Sequence, residues 1–129
     1  MMPAQTSVEL IEQVGSQANR RAVASFLRGQ KKFWDPAVVE TLYESVVRVA
    51  RIDLQQAERL ADAATWLAEK LHDNRCRAQS MRAVGHVLLI RRRYSEALKH
   101  YKAALKLYRR LGEDVDVGAE TPPYPGDVA

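Results

Sequence analysis

Met81-Arg82-Ala83-Val84-Gly85-His86-Val87-Leu88-Leu89-Ile90, the turn Arg91-Arg92-Arg93, and Tyr94-Ser95-Glu96-Ala97-Leu98-Lys99-His100-Tyr101-Lys102-Ala103-Ala104 together decide the fold. On each side of the arginine turn, apolar residues recur at three- and four-residue steps, the signature of one buried helical face. A connector of only a few residues forces two such helices to run antiparallel. The pair is therefore a helix hairpin. Gly85 and Ala97 are small where its helices are expected to touch most closely, and Tyr101 is large enough to fill the gap to a neighbouring helix.

Upstream, the same periodicity continues. Thr6 followed by Glu9 reads as a capping box. Val8, Ile11, Val14, Ala18, Ala22 and Phe26 then line one face of a first helix that closes in a left-handed cap at Gly29. Gly15 and Ser16 interrupt its helix-forming composition. Lys31 to Trp34 is a connector, and Asp35-Pro36 is an N-cap with first-turn proline. A second helix carries Val39, Leu42, Val46, Val49 and Ala50 to about Arg51. Asp53 caps a third, faced by Leu54, Ala57, Leu60, Ala61, Ala64 and Leu67 and ending near Leu71. Asp73 or Asn74 caps a fourth, and the fifth begins near Ser95 and closes at Gly112. No stretch alternates with period two. The expectation is an all-α fold of about five helices, without strands.

Met81, Val84-Gly85, Leu88, Tyr94, Ala97, Tyr101 and Ala104 resemble the tetratricopeptide repeat, whose pattern is a large residue, Leu-Gly, an aromatic, then Ala, aromatic, Ala. The proline usual near Arg109 is absent. A fainter copy lies forty residues upstream, where Ala57, Ala61 and Ala64 match Ala97, Tyr101 and Ala104, and Ser45 stands for Gly85. The resemblance implies a fragment of right-handed α-solenoid built of antiparallel hairpins. It divides the chain into a helical domain over 1–112 (first helix and connector 1–35, degenerate repeat 36–72, better repeat 73–112) and a tail over 113–129. A spacing near forty is similar to the N-terminal repeats of large bacterial proteins ending in a caspase-like CHAT domain, or of ATP-binding helical-repeat transcriptional regulators. Arrays of this kind need three or more repeats, so a longer bacterial parent protein is expected.

Composition narrows the function. Apolar residues make up 47% of 129, enough for one packed domain. The one cysteine, Cys76, fits a reducing cytoplasm. The run Val87 to Ile90 is far too short to span a bilayer, and the acidic N-terminus is not a signal peptide. Residues 75–112 hold eleven Arg or Lys against Glu96 alone, and 113–129 hold five acids and no base. The acidic tail, with Pro122, Pro123 and Pro125, reads as a flexible linker or a polyproline ligand, and as a screen over the basic block.

Hairpin arrays bind polypeptides through the first helix of each pair. By resemblance, that inner face presents Gln79, Arg82, His86, Leu89 and Ile90. Arg82 matches the basic residue with which some relatives clamp a peptide carboxylate, while His86 replaces their asparagine. In the weaker repeat Val39, Leu42, Tyr43, Val46 and Val49 form an apolar contact face. That face is covered by the first helix or by a second copy. A basic patch of Arg91, Arg92, Arg93, Lys99, Lys102, Lys106 and Arg109 is either a solvated face or an attractant for nucleic acid or an acidic protein. His86 and His100 stand level across the hairpin without a third metal ligand. Arg75 and Arg77 flank Cys76 and are expected to lower its pKa, but no base and acid accompany it. The expectation is a module with no catalysis, metal or cofactor. Its partner is another polypeptide, further repeats of the same chain or a second copy, with nucleic acid as the alternative and no membrane.

Overall fold

Side-chain caps set the helix starts, and a computed structural model describing residues 4–112 places them. The asparagine or aspartate at each of four starts accepts a backbone N–H: Asn19 from Ala22, Asp35 from Ala37, Asp53 from Gln56 and Asp73 from Cys76, at 2.8–3.1 Å. Each satisfies one donor that the first helical turn leaves without a partner. At Thr6 the hydroxyl accepts from Glu9 N–H, and the Glu9 carboxylate reaches back to the N–H of Gln5. The helices are α1 (Ser7–Gly15), α2 (Arg20–Arg28), α3 (Pro36–Val49), α4 (Leu54–Leu71), α5 (Asn74–Ile90) and α6 (Tyr94–Arg110). One turn of 3-10 helix covers Lys31–Phe33, and the described residues contain no strand. The fold is all α.

Among the described residues six α-helices stand where about five were expected, because the first one is broken. Ser16 Oγ and Gln17 Nε2 both donate to the Gln13 carbonyl at 2.9 Å, replacing helical bonds at the end of α1. Asn19 is extended (φ −161°) and restarts the chain as the cap of α2. Gly29 lies at φ −87°, so the expected left-handed cap is not formed there. Among the described residues the left-handed ones are His72, Arg92 and Gly112. Gln30 is buried and accepts the Ala4 N–H at 3.2 Å, tying the start of the chain to the end of α2.

α4 is central: α1 and α2 lie against it, as do α3 and α5. Its sequence permits this. Ala57, Ala61, Ala63, Ala64 and Ala68 are all buried, and side chains this small let neighbours approach from several directions. α5 in turn packs against α3, α4 and α6. With connectors of three or four residues, α3–α4 and α5–α6 are antiparallel hairpins. Leu10, Val14, Val23, Leu27, Leu42 and Leu60 are wholly buried in the main core. A second cluster, including Ala97, Tyr101, Ala104 and Tyr108, fills the α5–α6 seam.

One packing expectation changes. The apolar face of α3 is closed within the chain, with Val39, Leu42 and Val46 at 0% exposure and Tyr43 and Val49 half-buried. The helices that cover it are chiefly α4 and α5, since the shortened α1 and α2 lie over α4 instead. Gly85 lies against Tyr101. A β-carbon there would lie 3.2 Å from the Tyr101 ring, so the glycine makes room for the aromatic face.

Trp34 fastens the N-terminal part. Its Nε1–H donates to the Leu27 carbonyl at 2.9 Å, and its ring meets Trp66 of α4 edge-on with centroids 5.3 Å apart. Such a pair contributes about 0.5–1.5 kcal/mol beyond its buried area. No helix among the described residues is long and apolar enough to cross a membrane. Residues 113–129, with the acidic tail and its expected contact to the basic block, lie outside the described residues.

Candidate functional site

Arg82 is not aimed into open space. Its guanidinium lies 4.7 Å from the Tyr43 ring centre and 5.7 Å from that of Tyr108, and Nη1 donates to the Tyr108 hydroxyl at 3.2 Å. One side chain of α5 thus joins α3 to the end of α6. A guanidinium held between two rings is engaged in packing between helices. Burial raises the Tyr43 hydroxyl pKa; Arg82 opposes that rise, while Tyr101 and Tyr108 add to it. Replacing Arg82 with Ala should lower unfolding stability by about 1–3 kcal/mol, from two cation–π contacts and a hydrogen bond. Lys should recover less than half, because an ammonium cannot present a planar face. Urea titration of the two variants measures this.

The rest of the expected inner face is uneven. Gln79 and His86 are half-buried, Ile90 packs on the main core, and Leu89 is turned into the α5–α6 seam at 6% exposure, closed to any partner. Burial first and the Arg51 charge second push the His86 pKa down. His100 Nδ1 lies 2.9 Å from the Glu96 carbonyl and is held as its donor. No group of three metal-ligating side chains forms among the described residues.

Cys76 departs from expectation. The flanking arginines predict a lowered pKa, yet the thiol is 1% exposed and its pKa is pushed up to about 11. Burial is the main cause; Asp73, which caps α5 beside it, adds to the rise, and Arg75 opposes it only weakly. Native protein should therefore react with a thiol reagent at pH 8 far more slowly than denatured protein. A thiol that stays protonated when folded stabilises the fold below its unfolded pKa near 9. That contribution fades as pH rises from about 9 to 11.

One concavity is a feature the sequence did not disclose. A groove of about 660 Å³ runs over α5 between α4 and α6, with α2 at one end. Met81 and Val84 of α5, with Ala68 of α4 and Ala103 of α6, form an apolar floor. Arg20, Arg77 and Lys99 supply cations around it, and Asp62 and Glu69 stand on the α4 wall. A smaller recess of about 330 Å³ continues from it between α2 and α4, adding Arg21 and Trp66. Burial raises the Asp62 pKa, against the pull of Arg59 and Arg20. Arg59 Nη1 pairs with Asp62 at 3.3 Å, so that carboxylate already has a cation.

The basic patch divides. At the hairpin turn Arg91 pairs with Glu58 of α4, and Arg93 with Glu96 at 2.6 Å. Arg92 is exposed. Lys99, Lys102, Lys106 and Arg109 are all exposed along α6, and none has an acid within ion-pair distance among the described residues. Only Lys99 also lines the groove. Compared with protein-family models, with curated proteins and with solved structures, the chain finds no match.

Proposed function

We propose that this chain is a non-catalytic polypeptide-recognition module of tetratricopeptide type, and that the groove between α4 and α6 is where its partner binds. The observation carrying this is the groove itself, an apolar floor of Met81, Val84, Ala68 and Ala103 bordered by charged side chains. An apolar centre inside a polar rim is the anatomy of a protein interface. The hairpin order supports the repeat type, since α5 packs on both helices of the preceding hairpin. Two hairpins are fewer than such arrays need. The reading therefore extends to a front portion of a larger bacterial cytoplasmic protein, whose further repeats or other chains are the partners. Immobilised chain carrying Ala103→Trp, which fills the groove from the α6 wall, should lose at least about tenfold of the polypeptide captured from a host extract. Unaltered capture by a folded Ala103→Trp protein would remove the groove from the interface.

A second reading rests on the unpaired stripe Lys99, Lys102, Lys106 and Arg109, which attracts nucleic-acid phosphates electrostatically. Tyr101 and Tyr108, which interleave with the stripe, are each 2% exposed, so neither ring is open to base stacking. Duplex retention that falls steeply with salt would favour this reading.

A further inference from the structure

The shape and charge of the groove narrow its occupant. An extended peptide gains much of its affinity from backbone hydrogen bonds along a sheet edge. The groove has no such edge, since its three long sides are helices α4, α5 and α6. A helix satisfies its own backbone and needs only a matching apolar stripe. The α4 wall from Asp62 to Glu69 spans eight residues, whose steps of 1.5 Å rise make about 10 Å, or two helical turns.

Charge then sets which flank of that helix faces which wall. Asp62 is paired with Arg59, while the nearest partner of Arg77 is the neutral Asn74 amide at 3.3 Å. Lys99 has no acid partner among the described residues, and Glu69 is exposed on the opposite wall. The uncompensated charge is therefore positive at Lys99 of α6, Arg77 of α5 and Arg20 of α2, and negative at Glu69 of α4.

We infer that the groove takes an amphipathic helix of a partner polypeptide. Its apolar anchors at i, i+3 or i+4, and i+7 rest on Met81 and Val84, and its acidic flank faces Lys99 and Arg77, away from Glu69. This rests on the polypeptide-recognition reading and makes it specific. A basic flank on the same anchors would meet Arg20, Arg77 and Lys99, so the groove discriminates by repulsion as well as attraction.

Three labelled synthetic helical peptides test it by fluorescence anisotropy against the full 129-residue chain. One has leucine anchors and a glutamate flank, and the second has the same anchors with a lysine flank. The third shares the composition of the first with its leucines scattered round the helix. The first should bind at least about tenfold tighter than the others at low salt. Ala103→Trp, or the milder Ala103→Leu if the first fails to fold, should weaken it to the level of the scattered peptide. Arg77→Glu with Lys99→Glu should move the preference to the lysine flank, whereas Lys106→Glu, outside the groove, should leave the ranking unchanged. The inference is overturned if the scattered peptide binds as well as the anchored one, which would make the contact a diffuse charge effect. It is also overturned if neither anchored peptide binds. A lysine-flanked peptide that binds best and is lost in Ala103→Trp would overturn the acidic occupant while leaving polypeptide recognition standing.

Discussion

Removing residues 1–29 is expected to leave a chain that binds hydrophobic dyes, self-associates and no longer unfolds in one sharp transition. The magnitude follows from what the segment buries. Leu10, Val14, Val23 and Leu27 have at most 1% exposure, and each such side chain contributes about 1.5–3 kcal/mol by leaving water. Their sum is about 6–12 kcal/mol, comparable with the whole stability of an ordinary domain, about 5–15 kcal/mol. The surface laid bare belongs to α4, against which α1 and α2 pack, and Trp34 loses its acceptor, the Leu27 carbonyl. Near-ultraviolet dichroism should report the released Trp34–Trp66 pair. Hydrogen exchange should show protection lost along α4 before α3, whose Val39, Leu42 and Val46 keep α4 and α5 as cover. A truncated protein that stays monomeric with an intact near-ultraviolet spectrum would refute this arrangement.

That α1 and α2 are separate helices over α4 was hidden by a coincidence of phase. Val14, Ala18 and Ala22 continue the four-residue step across the break, so periodicity alone describes one rod. The contrary signal was present in Asn19, a strong N-cap residue, and in the Gly15-Ser16 pair, but a local cap signal carries no instruction about whether the preceding helix has stopped. Where cap and periodicity agreed, as at Asp35, Asp53 and Asp73, the starts of α3, α4 and α5 were legible, because a cap involves atoms only two or three residues apart. Site chemistry was less legible for the opposite reason. Arg82 is defined by Tyr43 and Tyr108, which come from other helices, and the groove exists only because α2, α4 and α6 converge over α5. At Cys76 the sequence neighbours misled. Arg75 is adjacent in the chain, yet burial and the Asp73 cap dominate the thiol's surroundings.

Replacing Tyr101 with Ala is expected to cost about 3–5 kcal/mol, the range for removing a large buried aromatic. The residue is 2% exposed in the α5–α6 seam, and its ring lies over Gly85. That contact lets the register of the hairpin be tested directly. Gly85→Leu alone should destabilise by about 1–3 kcal/mol, because even its first carbon would stand 3.2 Å from the Tyr101 ring in a helix pair with no slack. The gain in helix propensity from replacing glycine, about 1 kcal/mol, offsets only part of this. In the double variant the leucine should occupy space vacated by the ring. The combined loss should then fall short of the sum by about 0.5–3 kcal/mol, the coupling seen between residues in contact. Urea titration of the four proteins gives the cycle. Strict additivity would mean that Gly85 and Tyr101 do not share a contact, and that α5 and α6 are paired in another register. The floor of the groove depends on the same register, since Met81 and Val84 of α5 must lie level with Ala103 and His100 of α6 for the two walls to enclose it. A hairpin shifted by one turn would separate them, so the coupling energy at Gly85 and Tyr101 also bears on whether the proposed site exists.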